Sequence, residues 1–203
     1  MKIKQIFPLL VLCASTFASA APVFMTNPVD PSLAGSSVVD FTGEAQGYFS
    51  SRTFGGGDVT VNTTGSDLNI ENTYGGSYAS SGNYLANGAG GNGFNIVFAN
   101  AVSAFGFNWG AADRPWTMRL FDASNAMIGS FAVAAQTDPY AAFIGADGNG
   151  QTIKSINMVA SSYDYMLLDN LQYTASNASV PEPTTLAMLG LGMLGLFGAR
   201  RRK

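Results

Sequence analysis

The chain has 203 residues, a formal net charge of −3, one cysteine and no histidine. That cysteine, Cys13, lies within a stretch that reads as a removable leader, so the rest of the chain excludes disulfides, Cys/His zinc sites, Ser-His-Asp triads and cysteine nucleophiles. Between residues 21 and 180, four basic residues (Arg52, Arg114, Arg119, Lys154) stand against twelve acidic ones, a formal charge of −8 that disfavours nucleic acid and anionic lipid and favours divalent cations and neutral ligands.

Residues 1–20, MKIKQIFPLLVLCASTFASA, have Lys2 and Lys4 as a positive start, an apolar stretch from Ile6 to Phe17, and Ala18-Ser19-Ala20 as an A-x-A cleavage signature. Cleavage is expected after Ala20. A lipidated cysteine normally follows a small residue, and Leu12 precedes Cys13, so Cys13 is assigned to the discarded leader. Residues 21–37 form a lead rich in proline and serine, followed by one domain over 38–175. Within it, apolar residues recur at period two in short runs: 59–61, 68–70, 94–98, 102–109, 117–121, 127–133, 153–159 and 165–173. Turn residues such as Gly55-Gly56-Gly57, Gly65-Ser66-Asp67 and Asp147-Gly148-Asn149-Gly150 separate them, and no apolar stripe keeps helical spacing over three turns. The pattern predicts an all-β fold of about ten strands, an antiparallel β-sandwich with the jelly roll as its expected version. A β-rich solenoid is the alternative, but no fixed internal period supports it.

Several stretches invite a functional reading. GAGGNG at Gly88–Gly93 matches G-x-G-x-x-G, yet the following Phe94–Phe98 reads as a strand where a dinucleotide site needs a helix N-terminus. DGNG at Asp147 resembles the start of a calcium loop, but Gln151 and Thr152 stand where a calcium-loop ligand and its turn glycine belong, so a hairpin turn is expected. In AFGFNWGAADRPWTMRLFD, alternation puts Phe105, Phe107 and Trp109 on one strand face, the first two in the core and Trp109 at the strand end. With Trp116 in the returning loop, two readings are open: both tryptophans cap the core, or Trp109 and Trp116 stack on a sugar ring while Asp113 and Arg114 supply hydrogen bonds.

In YMLLDNLQY, alternation puts Asp169 in phase with Leu167, Leu171 and Tyr173, and a buried carboxylate needs a partner. Candidates are Arg119 or Arg52, backbone N–H groups, or a calcium ion shared with backbone carbonyls and an early acidic residue such as Asp40 or Glu44. The late Asp169-Asn170 with an early Val39-Asp40-Phe41 resembles bacterial jelly-roll domains related to carbohydrate-binding modules. That resemblance implies adjacent first and last strands and a structural calcium held between them. Only Glu44 and Glu71 are glutamates in the domain and no catalytic carboxylate pair can be nominated, so a non-catalytic module is expected, with a secreted glycan-active enzyme as the alternative.

The chain closes on a linker and a proline motif over 176–183, an uncharged segment over 184–199 and a basic tail over 200–203. Sixteen residues make a helix of about 24 Å at about 1.5 Å per residue, a marginal transmembrane helix against a hydrocarbon core of about 30 Å. Arg200, Arg201, Arg202 and Lys203 would stay on the cytoplasmic side. Pro181-Glu182-Pro183, the apolar run and the basic tail, in this order behind a leader, resemble the PEP-CTERM sorting signal of Gram-negative bacteria. The resemblance implies an inner-membrane intermediate, cleavage near Pro-Glu-Pro by an exosortase, and delivery to the cell surface or an extracellular matrix, where the domain would bind polysaccharide or itself.

Overall fold

The computed structural model describes residues 20–87 and 91–176. Within them lie thirteen strands: β1 (Val23–Met25), β2 (Ser37–Val39), β3 (Gly47–Phe49), β4 (Ser51–Phe54), β5 (Val59–Thr63), β6 (Leu68–Glu71), β7 (Tyr84–Ala86), β8 (Gly93–Gly110), β9 (Trp116–Phe121), β10 (Met127–Val133), β11 (Ala141–Asp147), β12 (Ile153–Ala160) and β13 (Leu167–Ala175). All their pairings are antiparallel.

The long strand β8 organises the sandwich. Its first half, Gly93–Phe98, pairs with β12 and β5, giving one layer in the order β10-β9-β12-β8-β5-β4. Its second half pairs with β11 and β13, giving a second layer of β1-β11-β8-β13, with β7 and β2 side by side along the far edge of β13 and β6 and β3 beyond β7. Ala99 and Asn100, exposed at the middle of β8, form the corner where the strand passes between layers. On either side of it, Phe94, Ile96 and Phe98 and then Phe105, Phe107 and Trp109 turn their side chains into the same core. The two runs expected as separate strands are thus one strand.

The lead over 21–37 contributes to the sandwich: β1 pairs with β11, Phe24 packs on Phe131 with ring centroids 5.5 Å apart, and Met25 and Leu33 form a small outer core with Ala104 and Phe143. The Asp147–Gly150 segment is a turn, with Asn149 N–H donating to Asp147 Oδ1 at 2.7 Å, but it is not a hairpin, because β11 and β12 belong to different layers. Strand β11 was unmarked by alternation because Phe143, Ile144, Gly145 and Ala146 are buried on both faces, which gives a continuous apolar run.

Gly93 opens a strand, so the glycine-rich stretch before it has no helix on which to seat a pyrophosphate. Among the described residues no helix is long and apolar enough to cross a membrane. The leader with Ala18, the Pro181-Glu182-Pro183 motif, the apolar segment 184–199 and the basic tail all lie outside the described residues, whereas Ala20 is described and exposed.

Candidate functional site

The tryptophan platform is not formed. Trp109 is 0% and Trp116 2% exposed, and the two rings meet edge to face 5.2 Å apart inside the core. The physical reason is strand phase: Trp109 continues the inward face of Phe105 and Phe107, and Trp116 opens β9 on its core side. Trp116 Nε1 donates to Asp164 Oδ2 at 2.6 Å, while Trp109 Nε1 has no protein partner. Asp113 and Arg114 are exposed beside them and lean on each other, Arg114 Nε to Asp113 Oδ1 at 3.5 Å.

Aromatic rings do gather at the surface, but they are tyrosines. Four connections meet at one end of the sandwich: residues 72–83 between β6 and β7, 111–115 between β8 and β9, 134–140 between β10 and β11, and 161–166 between β12 and β13. From them Tyr74, Tyr78, Ala111, Asp113, Tyr140 and Tyr165 line a cleft of about 210 Å³. A second cleft of about 240 Å³ adjoins it, sharing Tyr74 and Tyr165 and adding Tyr48, Asn69, Glu71 and Thr73. The rings stand nearly perpendicular: Tyr74 to Tyr78 at 5.6 Å and 69°, Tyr78 to Tyr140 at 6.5 Å and 83°, Tyr74 to Tyr165 at 6.2 Å and 74°. Tyr48 is 67%, Tyr74 44% and Tyr140 37% exposed, an unusual amount of aromatic surface to leave wet in one place.

The 72–83 loop, which supplies two of these rings, is fastened down on the outer face of the second layer. Asn108 Nδ2 donates to Ala79 O at 2.8 Å, Ser80 Oγ donates to Ser77 O at 2.7 Å and Tyr74 O at 3.0 Å, and Tyr74 N–H donates to Tyr84 Oη at 3.0 Å. Gly110 lets the loop approach: a Cβ there would lie 2.0 Å from the Tyr78 carbonyl oxygen. Tyr165 Oη donates to Glu71 Oε1 at 2.5 Å; burial, then that bond, raises its pKa far above the ordinary phenol value, so it stays a phenol. Asp164 ties the two loops beneath the cleft, accepting from the N–H groups of Asp113 and Arg114 at 3.3 Å each and of Tyr165 at 3.0 Å. Its carboxyl is raised above the usual range, chiefly by burial.

Asp169 belongs to the same support. Strand β13 carries a bulge between Asp169 and Gln172, with Asn170 in the left-handed region at φ 49°, and this breaks the expected alternation. Leu168, Leu171 and Tyr173 join the main core, while Leu167 packs with Tyr84 and Ala86 on the outer side. Asp169 is buried there, paired across from Asn108, and accepts from Ser81 N–H at 2.8 Å and Asn170 N–H at 2.7 Å. Its partners are therefore backbone N–H groups, one of the expected possibilities. Arg119 instead reaches Asn157. Glu44 pairs with Arg52 at 2.7 Å, and Asp40 is exposed, accepting from Thr42 N–H at 3.1 Å. Among the described residues no group of three or more His, Cys, Asp or Glu side chains gathers to hold a metal.

Sequence reasoning missed the tyrosine cleft because it sought tryptophan. The available signal was TYGGSYASSGNY at Thr73–Tyr84, in which tyrosines alternate with glycine, serine and asparagine. Large rings with few rotatable bonds on a small-residue loop are a composition that binding loops use.

Residues 179–203 match the PEP-CTERM protein-sorting motif. The chain carries that signal. No curated protein matches the sequence as a whole. Among solved structures, the chain is similar to a family 6 carbohydrate-binding module at 14% identity over 69% of this chain and 94% of that one, TM-score 0.38. It is similar to a family 6 module from Clostridium stercorarium, solved with cellobiose, at 14% identity over 57% and 86%, TM-score 0.34. It is also similar to the K1 adhesin domain of Lys-gingipain from Porphyromonas gingivalis, at 13% identity over 78% and 100%, TM-score 0.34. Likeness at these levels goes no further than the sandwich that the strand pairings already establish.

Proposed function

We propose that this is an exported, exosortase-sorted surface or matrix protein whose non-catalytic sandwich, of jelly-roll type with β2 of the early chain against the last strand β13, binds polysaccharide through the tyrosine cleft. The observation that carries the binding is the gathering of Tyr74, Tyr78, Tyr140 and Tyr165 with Asp113 around one recess. Tyrosine offers a pyranose ring an apolar face for its C–H groups and a hydroxyl for its own. Burying one sugar on such a ring is worth about 1 kcal/mol, so affinity would come from several rings along a chain rather than from one. The sorting half rests on the motif at 179–203 and involves three partners in sequence: the inner membrane through the C-terminal segment, an exosortase, then the polysaccharide.

Titration calorimetry of the full chain in detergent against a panel of oligosaccharides tests the binding, with Tyr74→Ala as control. Heat lost on that substitution supports the cleft; heat that persists unchanged, or turnover of any oligosaccharide, sinks it. A structural calcium is a separate proposal, supported by the pairing of β2 with β13, Val39 opposite Leu171, which brings the Asp40 and Asp169 segments onto neighbouring strands.

A further inference from the structure

We infer that the cleft selects an ammonium group: the polysaccharide it takes is an amino-sugar polymer from which N-acetyl groups have been removed. This rests on the glycan reading of the cleft and narrows it. Rings meeting at 69°, 83° and 74° cannot make one flat shelf; they wall a recess, the arrangement in which several aromatic quadrupoles act on one cation. A carboxylate stands in each half, Asp113 in the first cleft and Glu71 in the second, and among the described residues no lysine or arginine lines either. Arg114, the neighbouring cation, is held sideways against Asp113 at 3.5 Å.

Ligand charge then decides. A uronate or sulfated glycan would meet two carboxylates and a domain of formal charge −8, and would be repelled. A neutral glycan would bring no charge to either acid, leaving Asp113 its exposed contact with Arg114 and Glu71 only the hydroxyls of Tyr165 and Thr73. An ammonium satisfies ring faces and carboxylate together. Lysine side chains also carry ammonium groups, but two ring-sized recesses of about 210 and 240 Å³ with a common Tyr74–Tyr165 wall, each holding one acid, suit a polymer bearing a cation on successive rigid rings.

Calorimetry on the full chain in detergent would compare glucosamine oligomers with N-acetylglucosamine oligomers, cello-oligosaccharides and oligolysine of matched length. The glucosamine oligomer is expected to bind about tenfold more tightly than its acetylated form, with affinity falling as salt is added. Asp113→Asn and Glu71→Gln, which keep the side-chain shape, should each cut that preference several-fold while leaving the melting temperature in place. Equal or tighter binding of acetylated or cello-oligosaccharides would overturn this inference and leave the glycan reading standing. Oligolysine binding as tightly would overturn the sugar assignment, an unchanged preference in both variants would overturn the cleft's role in it, and binding of no oligosaccharide would overturn both readings.

Discussion

Asp169 has its carboxyl pushed up to about 6, first by burial and further by the charge of Asp40, against the two N–H donors that pull it down. An acid whose folded-state value lies above its ordinary 3.8 is held more tightly as the protonated form in the folded chain. Its contribution is fully present below about pH 4 and is lost as pH rises through about 6. Asp164, also raised, acts in the same direction. The melting temperature should therefore fall between about pH 4 and 7, and Asp169→Asn should flatten much of that slope; a slope unchanged in the variant would remove Asp169 as its source. The same variant separates the calcium proposal. An ion bound only by the folded chain at a hundredfold above its Kd adds about 2.7 kcal/mol, a few degrees for a domain of this size, and Asp169→Asn should abolish the gain. No change on chelation and re-addition would end that proposal. Asp164→Ala strands the buried Trp116 N–H and three backbone N–H groups, at about 1–3 kcal/mol for each unsatisfied group, and should lower the melting temperature by several degrees or more. At this scale the sequence shows that Asp169 is anomalous, because a carboxylate among apolar residues stands out. It hides the side on which Asp169 lies, because the bulge at Asn170 reverses the phase and no residue type announces it.

Elements were legible where one face is wet. Strands β5, β9, β12 and the first half of β8 alternate buried and half-exposed residues, and period two found them. Strands β1, β2, β3 and β7 are three residues long, too short to show a period, and β11 is apolar throughout. The tyrosine loop was illegible for a related reason: what places it is hydrogen bonding to Asn108 and Asp169, from strands far away in sequence. Gly110 is its tightest contact. Gly110→Ala drives a methyl group into the Tyr78 carbonyl, and backbone cannot step aside as a flexible side chain can. The variant should fold, lose hydrogen-exchange protection at Tyr74 and Ser81, and lose most oligosaccharide binding; full protection and affinity would show that the loop does not need that close approach. With strands and two single-turn 3₁₀ segments as the described elements, far-UV circular dichroism of the released protein should show well under a quarter helix.

At the scale of the whole molecule, the tyrosine cleft and the first and last described residues lie at opposite ends of the sandwich. The loops that hold the tyrosines all leave from the end where β8 stops and β9 starts, while β1 begins beside the Asp147 turn and β13 finishes at the opposite end, where Ser176 Oγ donates to Ala101 O. Ala20 and Ala21 sit there too, their carbonyls accepting from Gln151 Nε2 at 2.6 Å and Asn149 Nδ2 at 3.1 Å. The first and last described residues thus both lie at the end away from the cleft, so on the proposed processing an anchored intermediate would already turn the cleft outward. Neither proposed cut would remove any part of the cleft. The consequence is a definite order of masses with one binding behaviour. Surface material should start at Ala21 and end near Pro181–Pro183, whereas material from the inner membrane should start at Ala21 and keep Arg200 to Lys203. Both should bind the same oligosaccharide within a few-fold, because an anchor placed behind the site changes where the protein is held and not what lines the recess. Intact-mass measurement on the two fractions decides the processing. Finding the basic tail on most surface material would sink the sorting proposal, and binding confined to the released form would show that the anchored chain hides its cleft.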